Sequence, residues 1–161
     1  MPPLQQCNTK FADLVMRHRD LIWHICSDYS LSAAWETEDA FQEVLCALWR
    51  DMNQFEGRSS ERTWIYRVAS NTMLMLKRRQ SNRPAPNGTA LPQTAETNDN
   101  YNLLLQLIDQ LPDADCRIVR AHLDGFSNAE IATICGSTTA AIAMKLSRIK
   151  KKLKHKYEAE R

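Results

Sequence analysis

Between Met144 and Lys156 seven cationic side chains, Lys145, Arg148, Lys150, Lys151, Lys152, Lys154 and Lys156, stand without a single acid. So dense a run suits the phosphates of a nucleic acid, although a solvated helix face has the same composition. The residues before it give the run a frame. Ser127-Asn128-Ala129-Glu130 has the form of a capping box that starts a short helix. Cys135-Gly136-Ser137 then makes a tight turn in which Gly136 can take a positive φ, and Thr138 caps a longer, basic helix. A short helix, a glycine turn and a longer basic helix are the sequence form of a helix-turn-helix, with a plain helical hairpin as the alternative. A second constellation is Asp39, Gln42 and Glu43, spaced i, i+3 and i+4 and hence on one helical face. A third interleaves rings with cations, Arg62, Trp64, Tyr66 and Arg67 followed by Lys77-Arg78-Arg79, a pattern suited to unpaired bases and their backbone.

Catalysis and metal binding are poorly served by the same residues. The carboxylates near position 39 have no histidine on their helix to complete a metal site. Five cysteines, at 7, 26, 46, 116 and 135, are an odd number with no C-x-x-C, which signals neither a disulfide framework nor zinc. They are expected to be reduced thiols. His24-Ile25-Cys26 is the closest His/Cys pair and lacks a second pair to complete four ligands. No catalytic residue, metal or cofactor is therefore expected.

Composition agrees with a helical protein handling an anionic partner. Hydrophobic residues make up 43% and charged residues 25% of the 161, ordinary for a globular chain, and glycine occurs only four times. No apolar run approaches the roughly 20 residues that span a bilayer, so no membrane insertion is expected. The start, Met1-Pro2-Pro3-Leu4, lacks a secretory layout, which makes the cytoplasm the expected compartment. The net charge of +2 is unevenly spread, because residues 1–80 balance 10 bases against 10 acids whereas residues 101–161 hold 10 against 7.

The elements that must position these groups are helices. Phe11, Leu14, Val15, Leu21, Ile22, Ile25, Cys26 and Tyr29 mark a first amphipathic helix, and Ala40, Phe41, Val44, Leu45 and Leu48 a second over 36–49. A third runs from about Thr63 to Arg79 with Ile65, Val68, Ala69, Thr72 and Leu76 inward. Three such helices bury one small core, giving a domain over residues 1–80. Residues 81–100, rich in Pro and Asn and without periodicity, form a flexible linker to a second domain over 101–161. There helices are expected over Tyr101–Leu111 and Pro112–Leu123, the latter with Pro in its first turn, acids at its positive end and Gly125 as its stop. Ile142, Leu146, Ile149 and Leu153 form the inward stripe of the basic helix, with Ala132 small where the two helices of the motif approach. The expected fold is all-α, in two small helical domains.

Residues 128–147, NAEIATICGSTTAAIAMKLS, resemble region 4 of bacterial RNA polymerase sigma factors, and Leu111-Pro112-Asp113 with Arg117 resembles the opening of that domain. Glu38-Asp39-Ala40-Phe41-Gln42-Glu43-Val44 resembles the polymerase-binding segment of sigma region 2, and Thr63-Trp64-Ile65-Tyr66-Arg67-Val68-Ala69-Ser70-Asn71 its promoter-melting helix. The order of the two regions, with a short linker and no region 3, is the layout of the extracytoplasmic-function group. That resemblance implies a non-enzymatic initiation subunit whose partners are core RNA polymerase and promoter DNA, with an anti-sigma factor as a further candidate, and whose regulon answers stress or surface signals. It implies polymerase binding by Asp39, Gln42 and Glu43, flanked by Glu36 and Trp49. It places minus-10 contacts in the loop Gly57-Arg58-Ser59-Ser60-Glu61-Arg62, which in the family captures a flipped base, and in Trp64, Tyr66, Arg67 and Asn71. Ser59, Ser60 and Glu61 offer that base hydrogen bonds, Trp64 is the tryptophan best placed to touch DNA, and Asn71 either contacts DNA or caps a neighbouring turn. Minus-35 contacts fall to Thr138, Thr139, Ala140, Ala143, Lys145, Arg148 and Lys151. Thr139-Ala140-Ala141 is poor in base-reading groups, which leaves Lys145 and Arg148 as the nearest donors for a guanine. Two other readings fit the residues less fully. A helix-turn-helix regulator acting alone usually needs a dimerisation helix, and a sigma-like decoy would be expected to lose its basic helix.

Overall fold

Apolar residues recurring at three- and four-residue steps are realised as helices along nearly the whole described chain. The computed structural model describes residues 3–30, 35–81 and 99–160, all-α with no strand among them. They group into two units, Met1–Pro84 and Ala85–Arg161. The expected linker lies mostly on residues 82–98, outside the described residues.

The first unit holds α1 (Pro3–Ser30), α2 (Thr37–Asp51) and α3 (Glu61–Ser81), with a 3-10 turn at Met52–Gln54. Each helix packs on the other two, so Ile22, Ile25, Val44, Leu48, Ile65 and Met73 meet in one core. The first helix begins well before the expected Phe11 and bends at His18, whose φ of −117° and ψ of 15° leave helical geometry. The third is buried over a wider arc than its periodicity indicates. Beyond the expected Ile65, Val68, Ala69 and Thr72, it buries Thr63, Tyr66, Ser70, Met73 and Leu74, whereas Leu76 is only half-buried. The cause is that α3 contacts both α1 and α2. Its buried hydroxyls bond within the helix, Thr72 to the Val68 carbonyl at 2.8 Å and Ser70 to the Arg67 carbonyl at 3.3 Å, which offsets their desolvation.

The second unit holds α4 (Asp99–Asp109), α5 (Asp113–Leu123), α6 (Asn128–Cys135) and α7 (Thr139–Ala159). Pro112 sits at the N-cap of α5 rather than in its first turn, and its carbonyl accepts from the Cys116 amide at 2.9 Å. The capping box forms as expected, with the Glu130 amide donating to Ser127 Oγ at 3.2 Å and the Ser127 amide to the Glu130 carboxylate at 2.7 Å. Gly136 takes φ +65°, the left-handed conformation that ends α6, and the Ser137 amide returns to the Ala132 carbonyl at 2.9 Å. A side chain there would meet no neighbour, so its cost would be that of the backbone conformation alone, about 1–2 kcal/mol. Ile142, Leu146, Ile149 and Leu153 all face the core, so α7 is seated on α4, α5 and α6. Two contacts outside the expected pattern complete the unit. Arg120 on α5 is 2% exposed and donates to Asp109 at the end of α4, and Tyr157 near the end of α7 donates to Asn100 Oδ1 at 2.9 Å.

Candidate functional site

On α2 the acidic face is built by subtraction. Ala40, Val44, Ala47 and Leu48 are consumed by the core, which leaves Asp39, Gln42 and Glu43 exposed together on the outer side. Glu36 occupies the N-cap position but makes no capping bond, so its carboxylate also remains at the surface. Trp49 is 41% exposed, with the edge of its ring pair on Phe11 at 5.1 Å, so the face ends in a partly open indole. A second partly exposed ring pair, Trp23 with Phe41 at 5.6 Å, lies farther along the seam between α1 and α2.

At the start of α3 the structure separates the residues that the sequence grouped. Arg67 and Asn71 are exposed, Arg62 is half-buried, and the half-buried Trp64 lies against Phe55 with ring centroids 5.0 Å apart. Tyr66, expected to face DNA, is instead 0% exposed. It belongs to the core because Ile65, Ala69 and Met73 turn the same side of α3 toward α1 and α2. Ser60, expected to meet a base, is the cap of α3: its Oγ accepts from the Thr63 amide at 3.1 Å and donates to Thr63 Oγ1 at 2.9 Å. Arg58 pairs with Glu56 at 2.8 Å, and the Ser59 hydroxyl turns back to the Ser60 carbonyl at 3.4 Å.

Glu61, the remaining acid of that loop, is held within the protein. Arg17 Nη2 donates to both its oxygens at 3.0 Å, and His18 Nε2 lies 3.0 Å from Oε2, where an ionised carboxylate requires the ring nitrogen to donate. The clamp joins the bend of α1 to the first turn of α3, and α1's departure from helical geometry coincides with it. The bond from His18, with the charge of Arg17 and against partial desolvation, holds the Glu61 carboxyl below its ordinary 4.5. A depressed carboxyl stabilises the fold fully above its unfolded value and loses that contribution as pH falls through the lower folded value. Glu61→Gln is therefore expected to lower the melting temperature modestly at neutral pH, where the carboxylate contributes, and to flatten the acid limb below about pH 4.5, where the two proteins converge. Parallel acid limbs for the two proteins would show that the clamp has no such linkage.

On α7 the expected residues are all at the surface. Thr138 Oγ1 accepts from the Ala141 amide at 3.2 Å, so its hydroxyl first serves as a cap. Ala140, Arg148 and Lys151 lie opposite the buried stripe, with Thr139, Ala143 and Lys145 on its flanks. Periodicity left unnoticed that Met144, 59% exposed, stands in the middle of this outward face.

Two of the cysteines, Cys26 and Cys116, are placed in the core. Burial pushes the Cys26 thiol up to about 12 and raises Cys135 despite the nearby charges of Arg117 and Lys145, which makes both poor nucleophiles. Cys116 is buried and Cys46 exposed, with no disulfide among the described residues. His24 and Cys26 do not converge, since His24 is exposed and pairs with Asp28 at 3.2 Å while Cys26 is in the core. No helix among the described residues is long and apolar enough to cross a membrane.

Comparison with known proteins bears on both units. The family model for Sigma-70 region 2 matches residues 14–83, and that for Sigma-70, region 4 matches residues 101–153. The ECF RNA polymerase sigma-E factor of Escherichia coli is 27% identical over 164 residues, covering 90% of this chain and 85% of the relative. The ECF RNA polymerase sigma factor SigG of Mycobacterium tuberculosis is 40% identical over 57 residues, which is 35% of this chain and spans only 15% of that relative's length. Two solved structures share the fold. CnrH, in complex with the cytosolic domain of CnrY, superposes with a TM-score of 0.67 at 21% identity, covering 96% of this chain and 91% of that one. The sigma factor RpoE from Bartonella quintana, in complex with the anti-sigma factor NepR, gives 0.68 at 17% identity, covering 92% and 99%. Both regions match in the expected order on separate helical units, and the chain belongs to the extracytoplasmic-function sigma factors of the sigma-70 family.

Proposed function

We propose that this protein binds core RNA polymerase in the cytoplasm, directs it to promoters through minus-10 and minus-35 elements, and initiates transcription of a stress or surface-signal regulon. The observation that carries the reading is the separation of two unlike surfaces on the two units. The acidic face of Glu36, Asp39, Gln42 and Glu43, ending in Trp49, fits a basic segment of polymerase, and the cationic outer face of α7 fits DNA phosphates. Arg67 and Asn71 at the surface, with the half-buried Arg62 and Trp64, engage the minus-10 region in this reading, with Arg58 and Ser59 in the loop beside them. Residues 81–100 serve as the linker between the domains over 1–80 and 101–161. An anti-sigma factor is a further partner in this reading, supported by the complex with the anti-sigma factor NepR in which one structural relative was solved. Run-off transcription with purified core polymerase and a promoter from the protein's own genome tests it. A transcript that depends on this chain is expected, and its absence across a genomic promoter library would refute the initiation role.

For the minus-35 element the reading assigns most affinity to phosphate contacts. The outward face of α7's first turns is Ala140, Ala143 and Met144, groups that suit thymine methyls rather than hydrogen-bond readout. Lys151→Ala is expected to weaken the polymerase-bound protein equally on all sequences and to lower the salt slope by about 1. Arg148→Ala is expected to cost about 1–3 kcal/mol on the preferred promoter and much less on random DNA, as for a guanine contact. Equal losses on both DNAs would make Arg148 another phosphate contact and shift specificity to DNA shape and the minus-10 element.

A further inference from the structure

Among the described residues of α7, Met144 is the one large apolar side chain at the surface, 59% exposed. It stands opposite the buried stripe of Ile142, Leu146, Ile149 and Leu153 and shares its line along the helix with Lys151, about two turns further on. A single exposed methionine needs no explanation on an ordinary surface. Its neighbours set this one apart. Ahead of it the exposed side chains Thr138, Thr139, Ala140 and Ala143 are all short, so the backbone of the first turns can come close to the floor of a major groove. Met144 is then the first long side chain to reach out from that face, with the cations Lys145 and Arg148 beside and beyond it. An unbranched thioether adapts its shape to an irregular surface, but it has no donor and is only a weak acceptor. The polar edges of guanine, adenine and cytosine gain nothing from it. The apolar group that a base pair offers in the major groove is the C5 methyl of thymine.

We propose that Met144 is a specificity-determining residue of the minus-35 contact, packing its side chain on the C5 methyl of one thymine. The proposal rests on the initiation reading above and deepens it. Lys151 and its neighbours supply affinity through phosphates, whereas Met144 supplies discrimination by burying apolar surface rather than by hydrogen bonding. Because the contact is to the methyl and not to the rest of the base, a 5-methylcytosine at the same place presents the same group and substitutes for thymine in part. Recognition of the element then responds to cytosine C5 methylation at that one position.

The test uses the full chain assembled with core polymerase and duplex DNA carrying the minus-35 element of a promoter found by run-off transcription. Each thymine of the element, on either strand, is replaced in turn by deoxyuridine, which lacks only the methyl. The wild type is expected to lose about fourfold in affinity at one position, the worth of one buried methyl. Met144→Ala, a change at an exposed site, is expected to weaken the natural DNA by at least as much and to respond to no deoxyuridine, so that the two changes are not additive. Lys151→Ala is expected to weaken every DNA equally and to keep the deoxyuridine response. At the sensitive position, 5-methylcytosine is expected to bind the wild type about fourfold better than cytosine, and Met144→Ala no better. A wild type indifferent to deoxyuridine at every thymine overturns the proposal, as does a preferred element that contains no thymine. A response that survives in Met144→Ala gives the methyl another partner and overturns it too. Any of these results in a complex that still selects its promoter sinks the proposal alone, whereas a complex that binds the promoter no better than random duplex overturns the initiation reading with it.

Discussion

Reversing the charges of Asp39 and Glu43 together is expected to abolish co-purification with core RNA polymerase while leaving helical content unchanged. Both side chains lie on the outer face of α2, and the residues that seat that helix, Ala40, Val44, Ala47 and Leu48, are on its other side. Exposed substitutions of this kind usually change stability by no more than about 0.5 kcal/mol, so folding and binding effects separate cleanly. Close charge pairs across protein interfaces couple by about 1.5–7 kcal/mol each. Two reversals replace attraction by repulsion at two points, and the loss in affinity should exceed about a hundredfold. Gln42→Ala, which removes a hydrogen-bonding group but no charge, should cost far less. A double variant that still co-purifies at full yield would move the polymerase contact to another face.

The largest effect on stability is expected at Asp109, a residue without any contact to DNA in the functional reading. Arg120 is the most deeply buried charge among the described residues, with its side chain 2% exposed, and Asp109 faces it at 18%. Arg120 Nε also donates to Cys116 Sγ at 3.4 Å. Removing one partner of a buried pair leaves the other desolvated and uncompensated, a cost of about 3–5 kcal/mol. Asp109→Ala should therefore destabilise the second unit by about 3 kcal/mol in chemical denaturation, since the carboxylate keeps some solvent. The double change Asp109→Ala with Arg120→Met should recover most of that loss, because an apolar side chain of similar length needs no partner. A single variant within about 0.5 kcal/mol of the wild type would show that the pair contributes nothing net. The functional consequence is indirect: α7 rests on α4 and α5, so loosening their junction would cost promoter affinity without touching a DNA contact.

Local signals account for what could be read before the fold was in hand. The Ser127/Glu130 box, the turn at Gly136, the Thr138 cap and the stripe from Ile142 to Leu153 each involve partners within a few helical turns, and the chain states them directly. The same holds for the acidic face of α2, where one helix's own periodicity divides core from surface. Arg120 illustrates the opposite case. On α5 it looks like an ordinary surface cation, and only the arrival of α4, carrying Asp109 eleven residues earlier, turns its position into an interior one.

By itself, then, the sequence determined the all-α class, the limits of most helices, the two-region family pattern and which faces of α2 and α7 stay in solvent. Tertiary structure decided the rest, chiefly around α3. Tyr66 lies beside Trp64 and Arg67 in the chain, and nothing local distinguishes its ring from one meant for DNA. Packing against both α1 and α2 widens the buried arc of α3 and takes Tyr66 into it. Glu61 is fixed by Arg17, 44 residues away, a contact that exists only once α1 has packed on α3. Helical period and caps are set by interactions within a few residues, whereas burial and side-chain pairing between helices depend on neighbours that only the folded chain brings near.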